Sequence, residues 1–244
     1  MILAIDTSTS VSSLALYDGD VHVEQTWIAD RSHTTQLLPQ VDKLLGLAGL
    51  EPKDLKGLVV ALGPGSFNGI RVGLSTAKGL AYALRIPLVG IGTLETIAYA
   101  YANLRMPIRP ILDAGRGEIS TALFETIDRK WLQREEPWIG GVPDIVSLTD
   151  RPTLLCGDIR KECVLELRRR LGELIHVPSG AANLRRAGYL AELGLRRLRA
   201  GDVDDVVQLQ PMYLRGPAIT KSRRADALAV RRGSESSPSE SPEP

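Results

Sequence analysis

Two cysteines, three histidines and almost no net charge are all that this 244-residue sequence has of the commonest site-building resources. Each shortage excludes something. Cys156 and Cys163 stand seven apart with no histidine near them in sequence, so neither a disulfide framework nor a catalytic thiol is expected. The histidines are His22, His33 and His176. A helical metal pair needs a second ligand three or four residues on, and after His33 those positions are Gln36 and Leu37, so no zinc or iron site is expected. No apolar stretch approaches the roughly eighteen residues of a membrane span. The opening MILAIDTSTS lacks the charged start and long apolar core of an export signal, and a reducing cytoplasm is the expected compartment.

Charge is balanced as well as sparse. Residues 216–244 hold five basic and four acidic side chains, and removing them from the totals of 30 and 29 leaves 25 of each. Nucleic-acid binders usually carry a basic excess or stripe. If the protein acts on RNA, another chain is expected to hold most of the phosphates.

What is present is a good core: 43% hydrophobic residues and a clear alternation of periods. Residues 2–5, 11–17 and 21–28 read as strands, with Asp18-Gly19-Asp20 as a hairpin turn. Leu37, Leu38, Val41, Leu44, Leu45 and Ala48 then fall at helical spacing over 33–48, with Pro39 expected near the first turn. Residues 57–62 read as a strand buried on both faces, about 66–84 as a helix and 86–91 as a strand. Thr93 is expected to cap a further helix. The pattern restarts at residue 107. Strands are predicted at 108–112, 118–125, about 131–138 and 153–156, and helices at about 159–171 and 182–199. This order describes mixed sheets with helices on their faces and a divergent internal duplication. The expected organisation is one lobe over 1–104 and a second over 105–215, whose last helix can pack on the first. A Ser/Pro/Glu-rich disordered tail is expected over 216–244.

Four places could carry chemistry. Asp6-Thr7-Ser8-Thr9-Ser10 ends the first strand with a carboxylate beside hydroxyls, which suits a phosphate or a metal-bound water. A polar hairpin ending a buried strand explains the same residues. The run from Gly63 through Gly65 and Ser66 to Arg71 joins a buried strand to a helix. Such a turn can bind an anion at the helix start, or let another backbone approach, with Ser66 as N-cap. It lacks the Gly-Lys-Ser/Thr of a P-loop and is not a dinucleotide fingerprint. His33 reads as a helix-start or interface residue. Asp113, Arg116 and Glu118 either reach a ligand between the halves or shape their own turn.

Taken together these motifs go further. Ile-Leu-Ala-Ile-Asp-Thr-Ser-Thr at the start, His33 ahead of Leu37-Leu38-Pro39, Gly-Pro-Gly-Ser-Phe-Asn-Gly-Ile-Arg at 63–71, Asp113 near Gly117-Glu118, and Pro211-Met212-Tyr213-Leu214-Arg215 occur in one order over residues 1–215. In that order the sequence resembles the TsaB (YeaZ) family. The resemblance implies an α/β, two-lobed actin/Hsp70/sugar-kinase-like fold. It implies a non-catalytic subunit of the machinery that transfers threonylcarbamoyl to adenosine 37 of tRNAs reading codons that begin with A. Its expected partners are the metal-bearing paralogue TsaD and the ATPase TsaE, with tRNA reached mainly through the complex and a homodimer possible when the chain is alone. It implies no cofactor of its own, though ATP or ADP could sit at the complex interface.

The resemblance also assigns the first two helices to the partner interface, which here points to His33, Leu37, Leu38, Val41, Leu45, Gly69, Arg71, Gly73 and Ala77. Asp6, Thr7, Ser8, Gly63, Gly65 and Ser66 remain the candidate nucleotide or phosphate positions. Close self-packing of the small residues in the second helix is the alternative to a partner. Asn68 stands where the family usually has Thr, and Ala114-Gly115-Arg116 lacks a second basic residue common there. A kinase or ATPase of the same fold, using Asp6 and the Gly63 loop, is the rival reading. A metalloprotease is the third, and the missing histidine pair argues against it.

Overall fold

The computed structural model describes residues 1–30 and 32–215. Ten strands and six helices follow a pattern that runs twice along the chain. In the first pass β1 (Ile2–Asp6), β2 (Val11–Tyr17) and β3 (Val21–Ile28) form an antiparallel meander. Then come α1 (His33–Leu47), β4 (Leu58–Ala61), α2 (Phe67–Leu84), β5 (Leu88–Ile91) and α3 (Thr93–Tyr99). The second pass repeats the order with β6 (Ile108–Gly115), β7 (Glu118–Ile127), β8 (Lys130–Gly140), α4 (Val142–Leu148), β9 (Thr153–Gly157), α5 (Lys161–Leu171), β10 (Ile175–His176) and α6 (Ala187–Arg199). One sheet is ordered β3-β2-β1-β4-β5 and the other β8-β7-β6-β9-β10. In both, the first strand is central, antiparallel to the second and parallel to the fourth.

The sequence explains the layers. Every residue of β1 and β4 is buried, because helices cover both faces of the first sheet and the strands read as continuous apolar runs. Edge strand β3 stays partly exposed. On α1, Leu37, Val41, Leu44 and Leu45 form the inward stripe, and on α2 the stripe is Ile70, Leu74, Ala77 and Ala81. Together with Leu3, Ile5, Leu14 and Val60, most of these make one core cluster.

The third helix of each pass crosses to the other half. Leu94, Ile97 and Ala98 of α3 pack with Ile108, Leu112, Phe124 and Leu154 of the second sheet. Leu190, Ala191 and Leu193 of α6 pack with Ile2, Ala4, Val59 and Val89 of the first. The two sheets therefore share their helices.

Several local expectations change. Pro39 lies in the second turn of α1, because the helix already begins at His33. Thr93 does not cap α3. The cap position is Gly92, and the Thr93 hydroxyl instead accepts the Gly63 N–H at 3.1 Å. Ser66 does cap α2, accepting the Gly69 N–H at 3.3 Å. The short elements α4 and β10 were not expected. The last helix begins at Ala187, not near 182, and the five residues gained by the loop before it build the cleft described next. The expected tail at 216–244 lies outside the described residues.

Candidate functional site

β1 of the first sheet and β9 of the second end at a cleft, and the chain itself fills it. Asp6, the last residue of β1, is only 2% exposed. Its Oδ1 accepts the Ser8 N–H at 2.9 Å and the Ser8 hydroxyl at 2.6 Å, while Oδ2 accepts from Nη2 of Arg185. The same Nη2 donates to Ser8 Oγ at 2.9 Å. A buried carboxylate needs such charge-assisted partners to offset its lost hydration. Arg185 comes from the loop ahead of α6, and that loop ties several elements together. Asn183 accepts the Gly157 N–H at 2.8 Å and donates its amide back to the Gly157 carbonyl, at the end of β9. The Tyr101 hydroxyl donates to the Ala182 carbonyl at 2.8 Å, and the Thr26 hydroxyl to the Arg185 carbonyl at 3.0 Å.

The glycine-rich loop is closed in the same way. The Ser66 N–H donates to the Ser8 carbonyl at 2.7 Å, and a Cβ added at Gly65 would lie 2.0 Å from that oxygen. On its other side the loop meets Met212, whose N–H donates to the Leu62 carbonyl at 2.8 Å. A Cβ at Gly63 would lie 2.6 Å from the Met212 carbonyl. Both glycines admit backbone from elsewhere in this chain, and both have positive φ. Of the six candidate phosphate positions, Asp6, Thr7 and Ser8 are turned into the fold. Thr7 donates to the Gly69 carbonyl at 2.7 Å. Gly63, Gly65 and Ser66 are held by Thr93, Met212 and Ser8. Asp113 accepts the Gly115 N–H at 2.8 Å and lies 3.9 Å from Arg160, while Arg116 takes the left-handed conformation of the same turn.

The helical residues expected to meet a partner divide sharply. Leu37, Val41, Leu45 and Ala77 are at most 5% exposed and belong to this chain's own core. Gly69 and Gly73 are small because the β1–β2 turn lies on them: added Cβ atoms would sit 2.1 Å from the Thr7 carbonyl and 2.3 Å from its hydroxyl. His33 is buried beside them, with Nδ1 3.0 Å from the Ser12 hydroxyl and Nε2 without a partner. Burial holds its pKa below the ordinary value, so it stays neutral. These seven positions, as they stand, offer no surface to another chain; packing against their own sheet uses them.

Leu38 and Arg71 are exposed, and Arg71 lies 4.4 Å over the Phe67 ring, which stacks on Tyr213 at 5.0 Å. The outward face of α2 then runs through Ser75, Gly79 and Tyr82, the last 80% exposed, and neighbouring α1 adds Leu38. A Cβ at Gly79 would meet nothing within 4 Å. A mid-helix glycine costs roughly 0.5–1 kcal/mol relative to alanine, and nothing inside this chain requires it. Sequence reasoning expected Leu38 and Arg71 at the interface but missed Tyr82, and it missed Arg185 and Asn183. A solitary glycine opposite the apolar stripe was the available signal for the first. For the second it was a polar Asn-Leu-Arg-Arg run ahead of an alanine-rich helix.

Two mixed sheets with the same strand order and exchanged third helices define the class: a two-lobed chain of the actin/Hsp70/sugar-kinase-like fold, here with its cleft self-occupied. Residues 25–136 match the family model for TsaD, tRNA N6-adenosine threonylcarbamoyltransferase. The chain is 33% identical to the tRNA threonylcarbamoyladenosine biosynthesis protein TsaB of Bacillus subtilis, over 88% of this chain and 93% of that one. It is 30% identical to the TsaB protein of Escherichia coli, over 90% and 96%. YeaZ from Pseudomonas aeruginosa superposes with a TM-score of 0.72 at 22% identity, covering 87% of this chain and 99% of that one. The chain belongs to the TsaB family.

Proposed function

We propose that this chain is a non-catalytic partner subunit of the complex that transfers threonylcarbamoyl to adenosine 37 of tRNAs reading codons that begin with A. The observation that carries the non-catalytic reading is the closed cleft. The one carboxylate at the end of β1 is consumed by Ser8 and Arg185, and the glycine-rich loop is filled by Ser8 and Met212. Asp6 is therefore not free to orient a metal-bound phosphate or to activate a nucleophile.

In this reading the chain acts by binding. The outward face of α1 and α2, with Leu38, Gly79 and Tyr82, docks on a TsaD-type catalytic subunit, and the assembled pair recruits a TsaE-type ATPase. Exposed large apolar side chains and a glycine that permits close helix approach support that use of the face. Any ATP or ADP binds at the interface between subunits, and tRNA is held mainly by the complex. Alone, the same face pairs two copies of the chain. The site of action is the cytoplasm: both cysteines are free, and no helix among the described residues is long and apolar enough to cross a membrane.

The test is ATP turnover by the purified chain, alone and with Asp6→Asn. No turnover beyond background in either protein is expected. Turnover by the parent that Asp6→Asn abolishes would overturn the reading in favour of a kinase or ATPase.

A further inference from the structure

A second hollow lies apart from the Asp6 cleft and shares no lining residue with it. It opens where the end of β5, the start of β8 and the last turns of α6 meet, and it measures about 540 Å³. That is within the range of small-molecule sites, roughly 300–1,000 Å³. Ile91 and Leu193 give it an apolar floor, and Trp131 forms a rigid wall. The indole stacks on Phe124 at 5.4 Å and meets the Tyr99 ring edge-on at 5.5 Å.

The polar groups of the hollow are of two kinds. Glu95 of α3 has no cation at ion-pair distance among the described residues, and the indole N–H of Trp131 faces it without closing a hydrogen bond. Burial pushes the Glu95 carboxyl up, with Trp131 and Arg197 pulling the other way. Three cations line the same hollow. Arg197 is spent on Asp202, Asp204 and the Gly90 carbonyl. Arg196 lies over Tyr99 and commits one nitrogen to Glu192. Lys130 has no ion-pair partner among the described residues. An acid without an ion-pair partner, the cations Lys130 and Arg196, and an apolar floor lining one hollow form a complementary pattern for a ligand charged at both ends.

We propose that this hollow binds a dipeptide-sized zwitterion, with its ammonium on Glu95, its carboxylate on Lys130 and Arg196, and its apolar side chains on Ile91 and Leu193. Neither the docking face nor the Asp6 cleft is involved, so the proposal stands or falls separately from the partner-subunit reading.

The test is calorimetric titration of the full chain with the dipeptide Leu–Leu, its N-acetyl form and its C-terminal amide. Binding of Leu–Leu is expected, weakened about tenfold or more by N-acetylation and by Glu95→Gln, a factor that corresponds to one lost charge-assisted contact. Lys130→Ala should weaken it less, because Arg196 remains, whereas amidation removes the carboxylate that both cations meet and should also weaken it about tenfold or more. The N-acetyl ligand tests the Glu95 contact on the unaltered protein, so a poorly folding variant does not leave the question open. No binding of Leu–Leu at about 10 mM, or binding indifferent to both acetylation and Glu95→Gln, overturns the proposal.

Discussion

The two halves share one wiring diagram and use it differently. In the first, the acid at the end of the central strand, Asp6, is buried and saturated by Ser8 and Arg185. In the second, the corresponding acid, Asp113, is exposed and holds only its own turn and a distant Arg160. The first half carries long helices, 15 and 18 residues, with apolar side chains on their outward faces; their counterparts in the second have 7 and 11. Repetition of a fold thus does not repeat its chemistry. One copy has its cleft acid locked and carries the helices proposed to dock, and the other supplies the loop, through Asn183 and Arg185, that does the locking.

The largest effect expected from breaking this contrast is at Arg185. Arg185→Ala leaves Asp6 buried without its counter-charge and should cost about 3–5 kcal/mol in urea unfolding. The matching change on the exposed side, Arg160→Ala at the Asp113 pair, should cost about 0–1 kcal/mol. Equal losses would show that the two acids are not held differently.

Next come the glycines of α2. Gly69→Ala drives a Cβ into the Thr7 carbonyl and should destabilise the chain by about 1–3 kcal/mol. Gly79→Ala meets open space and should stabilise the isolated chain by up to about 1 kcal/mol, while weakening any assembly through that face. Thermal melts of the two variants separate self-packing from docking. A loss of stability from Gly79→Ala would mean the glycine serves this chain's own fold.

The smallest expected effect concerns His33, which exists only in the first half's buried cluster. Its folded pKa lies below the ordinary 6.5 because burial disfavours the charged ring. The unfolded chain therefore takes up the proton first. Stability is full well above 6.5 and falls as the pH drops below it, until the folded-state ring also titrates. His33→Gln should flatten that limb of the stability profile, measured by urea midpoints at a series of pH values. An unchanged slope would mean that the ring is not buried in its neutral form.

The topology was legible in the sequence, because continuous apolar runs such as Leu58–Ala61 and the 3.6-residue stripes of α1 and α2 report burial directly. The restart of the pattern at residue 107 is the second copy of the sheet. The short elements α4 and β10, of seven and two residues, carry too few periods to be read. The site was less legible for a physical reason. Periodicity marks the face that is buried, and that stripe (Leu37, Val41, Leu45, Ala77) lies against the chain's own sheet. The face proposed to dock lies opposite it, where the signals are an unneeded Gly79 and an unburied Tyr82, the latter visible only once the fold is known. Arg185 was hidden because its partner stands 179 residues away.

The most direct measurement is co-assembly with the TsaD-type paralogue of the same genome, read by size-exclusion chromatography with light scattering, for the parent chain and for Tyr82→Ala. The expected result is a stable heteromer for the parent, and for Tyr82→Ala a complex weakened by about 2 kcal/mol or more, with folding stability unchanged within about 0.5 kcal/mol. Two separate peaks for the parent chain, or an undiminished complex with Tyr82→Ala, would contradict docking through the outward face of α1 and α2.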